Sequence, residues 1–280
     1  MTYNTILAIF ASKADVMPLC MAATNLPGGR DAHIIGSHGE PSQFVVLSAP
    51  IDVPDVTAIA ALYKQAEARM QEIGDKFAAV CKSEGLSYDW RPFRTPGGDS
   101  ALPALSSART ADLVIVRQPD RSVETATAAD FEALLFDGGR PVLFLPAPGG
   151  LDRPASRVLV AWDGSREAAR AIQDALPFLK AAEEVEIVVV DAERQKGIEM
   201  PLPGIDIAAG LARHGVHASI SSVACGGRST SDVIFEQVRA SNAGLLVMGA
   251  YTHRRTREWL FGGVTRSVLD HAPVPTLMSR

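Results

Sequence analysis

The second half of the chain has the clearer hydrophobic pattern. Val158–Trp162 is an apolar run of strand length. Beyond it Ala168, Ile172, Ala175, Leu176 and Leu179 recur on one helical face, and Ser165 stands where an N-cap would accept the free amides of the first turn. Val185–Val190 is β-branched at every position but Glu186, which predicts a strand buried on both faces. A helix over Ile205–His214, a strand over Val216–Val223 and a helix over Ser231–Ser241 follow. Leu245–Met248 reads as a strand, Trp259–His271 as a helix, and a short strand ends at Leu277. This alternation predicts an α/β fold with an open, doubly wound parallel sheet of five strands and helices on both faces.

The same order appears in the first half. Asn4–Ser12 matches Arg157–Ser165, Ala111–Val116 matches Ala243–Met248, and Arg140–Leu145 matches Ala272–Leu277. The last two pairs share an offset of 132 residues, which predicts an internal duplication. Residues 146–154 are rich in Pro and Gly and read as the seam. Two tandem domains are expected, 1–148 and 149–280, packed as a pseudo-dimer within one chain. The first has about 20 extra residues, assigned to a longer second helix from Pro54 to Lys82.

Composition narrows the class. Of 280 residues, 47% are apolar and 21% charged, the balance of a globular protein rather than a disordered or collagen-like one. Mean hydropathy is +0.10, yet no apolar run approaches the roughly 18 residues of a membrane span. Ile6–Phe10 lacks a basic stretch before it and is followed by Lys13 and Asp15, so no signal peptide is expected. Cys20, Cys81 and Cys225 are far apart and odd in number, giving no disulfide framework and no CxxC pair. They are read as core cysteines in a cytoplasmic protein. Net charge is −5, with 12 basic and 17 acidic residues up to position 148 and 15 of each thereafter. A chain so balanced lacks the field that sequence-independent nucleic-acid binding needs.

In such a sheet, ligands bind beyond the carboxyl ends of the strands. In the second half this points to Asp163–Ser165 and to residues 249–265. The latter run from a glycine leaving a strand, through Arg254, Arg255 and Arg257, to the Gly262–Gly263 pair. Glycines there let backbone amides approach a phosphate, and arginines add charge-assisted contacts.

These residues resemble those of the universal stress protein family, and the whole chain resembles its tandem members. The family carries a strand-1 Asp that meets adenine and a phosphate loop of Gly-x-x-Gly, nine residues, then Gly followed by Ser or Thr. Asp163 stands at the first of these positions and Gly249 opens the loop. Thr252 replaces the second glycine, Gly262 follows after nine residues, and Gly263 stands in place of the Ser or Thr. Val264 and Thr265 match the Val-Thr that often follows. The resemblance implies ATP or another adenine nucleotide as ligand, magnesium with a triphosphate, and contact of Val189 with the base.

Two departures bear on the site. Thr252 adds a branched side chain where glycine allows close approach, and Gly263 lacks a hydroxyl that Thr265 would have to supply. In the first half, the 132-residue offset sets Arg117 opposite Gly249, Asp120 opposite Thr252, Asp130 opposite Gly262 and Phe131 opposite Gly263. Ala11 and Ser12 replace the acidic position, and Asp120 and Asp130 would repel phosphate. The first half is expected to be a structural partner without a site.

Each signal also has a plainer reading. Asp163 can cap the turn into its helix, the arginines can be a solvated loop, and the glycine pair can serve helix packing. Gly97–Ser100 resembles part of the glycine-rich loop of ATP pyrophosphatases, but comes late in its half and reads as a turn. His214 and His217 read as surface residues. No HExxH, GxSxG or GxxxxGK[ST] motif occurs, and no catalytic residue is assigned, with slow ATP hydrolysis as the upper bound. The alternative function is a non-nucleotide interaction module with both pockets vestigial, meeting a protein partner or a second copy. A third reading, a nucleotide-transferring or pyrophosphatase-like enzyme, needs a pocket lysine or carboxylate pair that the sequence does not offer.

Overall fold

The computed structural model describes residues 2–41, 56–95, 99–118, 129–147, 149–191, 204–251 and 263–280. The first half runs β1 (Thr5–Ile9), α1 (Val16–Asn25), β2 (His33–Pro41), α2 (Val56–Glu84), β3 (Ser87–Thr95), α3 (Leu105–Ala108), β4 (Leu113–Arg117), α4 (Phe131–Asp137) and β5 (Val142–Leu145). The second runs β6 (Arg157–Ala161), α5 (Arg166–Asp174), α6 (Leu176–Ala181), β7 (Glu184–Val190) and α7 (Ile205–Arg213). It ends with β8 (Ala218–Val223), α8 (Thr230–Ala240), β9 (Leu245–Gly249), α9 (Gly263–His271) and β10 (Thr276–Ser279).

The strands form one ten-stranded sheet in the order β3-β2-β1-β4-β5-β10-β9-β6-β7-β8. Each half is a parallel five-stranded sheet, and the halves join through antiparallel pairing of β5 with β10. The second half repeats the strand order of the first in reverse, as a two-fold rotation requires. Register places the axis. Pro141 and Pro275 play the same part, their carbonyls accepting the amides of Val114 at 3.0 Å and Leu246 at 2.9 Å. Leu143 and Leu277 are then equivalent and are also paired across the seam, so the pseudo-two-fold passes between them.

This register corrects the constant offset expected from sequence. Ile6 pairs with Leu113 and Val158 with Leu245, so β4 and β9 are 132 residues apart. Val114 pairs with Val142 but Leu246 with Thr276, so β5 and β10 are 134 apart. The apolar run Pro-Val in both halves suggested the shorter alignment, but the second half has two more residues before its last strand. The two residues enter before the end of α9, because Leu134 and Val268 accept the equivalent amides of Gly138 and Ala272 at the helix ends.

Helices cover both faces. On one side α1, α2, α5, α6 and α7 enclose Phe10, Phe77 and Phe178, while on the other α3, α4, α8 and α9 enclose Phe144, Leu246 and Met278. The 29 residues of α2 against nine of α7 account for the extra length of the first half. Ile73, Phe77, Val80 and Cys81 are buried along it at helical spacing. Phe77 lies 5.3 Å from the Phe10 ring and 5.5 Å from Tyr88, and Gly36 gives it room, since a Cβ there would stand 2.6 Å from the ring.

Two local expectations need amendment. The face Ala168–Leu179 is buried throughout, but two helices carry it: Pro177 lacks the amide that would continue α5, and α6 restarts with proline in its first turn. Cys20 and Cys81, distant in sequence, meet between α1 and α2. Its Cys81 neighbour and then burial push the Cys20 thiol above its ordinary range. Both thiols are buried, while Cys225 is partly exposed.

Candidate functional site

Ala161 pairs with Val188 on one side and Met248 on the other, so the chain leaving β6, β7 and β9 emerges at one edge. Asp163 is exposed there, and its Oδ1 accepts the Ser165 amide at 3.0 Å across a turn made by Gly164 at φ +75°. Ser165 caps α5, its Oγ accepting the Ala168 amide at 3.0 Å. Asp163 therefore holds the turn and also offers a carboxylate to solvent at the strand edge.

Gly249 is dictated by packing. A Cβ at this position would lie 2.5 Å from the Ala168 nitrogen and 2.7 Å from the Glu167 carbonyl carbon, so glycine lets the start of α5 press against the end of β9. Two residues later Tyr251 adopts φ +56°, and its amide donates to Thr265 Oγ1 at 3.1 Å. That bond ties the exit of β9 to the first turn of α9. Thr265 is buried, and its hydroxyl oxygen is the acceptor in that bond. Gly263 is exposed and Val264 half-buried at the start of the same helix. Val189 is fully buried, with its Cγ2 close to Gly204. Thr252 and Gly262, together with Arg254, Arg255 and Arg257, lie outside the described residues.

The first half presents the same edge filled by its own side chains. The bonds Phe10 N–Ser37 O and Trp162 N–Val188 O are equivalent, which sets Ala11 opposite Asp163 and His38 opposite Val189. His38 is buried, its Nδ1 donating to the Phe10 carbonyl at 2.8 Å and its Nε2 lying 3.0 Å from Glu40. Glu40 is also buried and accepts Arg69 Nε at 2.7 Å. Arg117, opposite Gly249, turns back to Asp15, with Nη1 3.6 Å from the carboxylate. Asp15 in turn accepts the amides of Ala11 and Ser12 at 3.1 and 2.8 Å. Both halves keep a buried acid at the helix start, Asp15 and Glu167. In the first half an arginine reaches it from β4; in the second, Glu167 pairs with neighbouring Arg166.

Asp130 and Phe131 also sit differently from the sequence alignment. Counted back from Leu134 and Val268, they stand opposite Val264 and Thr265. Asp130 is the N-cap of α4, accepting the Ala133 amide at 3.0 Å. Asp120 lies outside the described residues. Of Gly97–Ser100, Asp99 makes a turn by accepting the Ala101 amide at 2.8 Å. His214 and His217 are exposed, and no cluster of metal-ligating side chains occurs among the described residues. No described helix is long and apolar enough to cross a membrane. A cavity of about 330 Å³ lined by Arg157, Glu183, Glu184, Glu186 and His217 lies at the opposite end of the second half, by the strand starts.

Comparison with known proteins agrees with this architecture. The sequence model of the universal stress protein family matches residues 154–280. No curated protein matches the sequence. A universal stress protein from Archaeoglobus fulgidus superposes over 99% of this chain and 98% of its own, with TM-score 0.64 and 16% identity. A functionally unknown protein from Pseudomonas aeruginosa superposes over 99% and 92%, with TM-score 0.57 and 16% identity. The second half of this chain is therefore a universal stress protein domain, and the chain as a whole carries that fold twice, as tandem domains sharing one sheet.

Proposed function

We propose that the chain is a stress-response protein whose second half, residues 149–280, binds one adenine nucleotide at the edge bounded by Asp163 and Gly249. The observation that supports this most is the contrast between the two edges. His38, Glu40, Arg69, Arg117 and Asp15 occupy the first among themselves. At the matching places the second has Val189 turned into the core, Gly249 without a side chain and Asp163 directed to solvent. Asp163 would orient the base through its carboxylate. Backbone amides at Gly249, Gly262 and Gly263 would meet ribose and phosphates, and the Thr265 hydroxyl would donate where Gly263 cannot. Magnesium would come with a triphosphate. Residues 1–148 form the vestigial partner, and no side chain is given a catalytic role.

The test is adenine-nucleotide titration of the whole chain beside Asp163→Ala. Saturation at one nucleotide per chain, lost in the variant, supports the reading; equal binding by both proteins removes Asp163 from it. A second reading, an interaction module with both pockets vestigial, draws on Gly249 itself. Contact with α5 fully explains that glycine, so it would be required in a chain that binds nothing. Absence of nucleotide binding together with self-association or capture of a protein partner would favour that reading.

A further inference from the structure

The exit of β9 does not rest on its own domain alone. Tyr251 holds a left-handed backbone conformation, φ +56°, that side-chain-bearing residues adopt only when their surroundings enforce it. Its ring packs on Phe136 of α4, with centroids 4.8 Å apart and planes at 42°. Phe136 is in turn covered by the Arg280 guanidinium, 3.7 Å from its centroid. Glu132, one turn earlier on α4, lies beside the Tyr251 hydroxyl. Burial, then the charge of Glu132, raises that phenol above its ordinary range, and burial likewise raises the Glu132 carboxyl. A second tie crosses nearby: buried Gln118 donates from its Nε2 to the Val268 carbonyl in α9 at 3.0 Å. Thus α4 of the first half grips Tyr251, and Tyr251 fixes β9 against α9 through Thr265.

We propose that the first half is a positioning element for the nucleotide site of the second, acting through the seat that Phe136 gives Tyr251. This rests on the nucleotide reading above and adds a role for the half that lacks a site. The Tyr251 amide is committed to Thr265 only while the ring is seated. Removing the seat takes away the ring contact that offsets a costly non-glycine conformation, and the bond from the Tyr251 amide to Thr265 loosens with it.

The experiment uses the whole chain with Phe136→Ala, Phe136→Tyr and Phe131→Ala. Phe136 is 42% exposed, so its removal leaves the core intact. Phe131 supplies a control on the same helix, packed 5.1 Å from the Phe144 ring. ATP affinity is expected to fall about tenfold in Phe136→Ala and to hold in Phe136→Tyr and Phe131→Ala. Wild-type affinity in Phe136→Ala, or an equal loss in Phe131→Ala, overturns the proposal. Amide hydrogen exchange at Tyr251 provides a reading that needs no nucleotide. Faster exchange in Phe136→Ala but not in Phe131→Ala supports the anchor even if the wild-type chain binds no ATP, an outcome that defeats the nucleotide reading alone. Unchanged exchange in Phe136→Ala overturns the anchor.

Discussion

At Gly249 a methyl group would stand 2.5 Å from the Ala168 nitrogen, a backbone atom at the capped start of α5 that cannot yield cheaply. Gly249→Ala is expected to lower stability by about 1–3 kcal/mol in urea denaturation. Asp163→Ala should do far less, about 1 kcal/mol or under, because the residue is exposed and loses only the turn bond to Ser165. That difference lets Asp163→Ala serve as a binding variant that still folds. Arg117→Ala should cost about 1–3 kcal/mol by leaving Asp15 without its cation, and should not open the first edge, which His38, Glu40 and Arg69 still fill. At this scale the sequence showed that Ala11 or Ser12 replaces the acidic position of Asp163 and that Arg117 replaces Gly249; the strand register selects Ala11. It did not show that Arg117 pairs with Asp15 or that His38, Glu40 and Arg69 assemble, because those contacts join separate elements through the sheet. The adjacency of Cys20 and Cys81 was hidden for the same reason, since it depends on how α1 and α2 pack.

Helix α2 illustrates what comparing the two halves can deliver. Its length followed from the extra residues of the first half. The clasp of Phe77 by Phe10, Tyr88 and Trp90 did not, as it joins three elements. Phe77→Ala is expected to cost about 3–5 kcal/mol, read from the shift in denaturation midpoint. The division of α5 from α6 was signalled by Pro177 and overridden by an apolar face that continues unbroken across it; proline removes a hydrogen bond without changing which residues are buried. The two-residue shift between β5 and β10 misled for a related reason. Apolar runs of similar composition align equally well at either offset, and only the ladder partners of Val114 and Leu246 distinguish them.

The two halves meet through one antiparallel strand pair and through aromatic residues on each face. Tyr3 donates its hydroxyl to the Asp174 carbonyl at 2.7 Å and packs on Phe178, whereas Tyr251 packs on Phe136 on the other face. Burial is the main cause that raises both phenols above their ordinary range, so the folded chain keeps both protons after an unfolded one has begun to lose them. The unfolded state then binds fewer protons, and stability falls as pH rises. Below about pH 10 neither group contributes; above it each should remove about 1.4 kcal/mol per pH unit until its folded form also ionises. Denaturation between pH 9 and 11 should show this decline, made shallower in Tyr3→Phe; a flat profile would place the phenols in water. The duplication and the doubly wound sheet were legible in the sequence, but the single shared sheet and its axis at Leu143 and Leu277 required the β5–β10 register. The most direct test of the central claim, one live edge and one filled edge, is calorimetric titration of ATP with magnesium into the intact chain. The account predicts one nucleotide per chain, with heat abolished by Asp163→Ala and unaffected by Ala11→Ser in the first half. Two nucleotides per chain, or none, would contradict it.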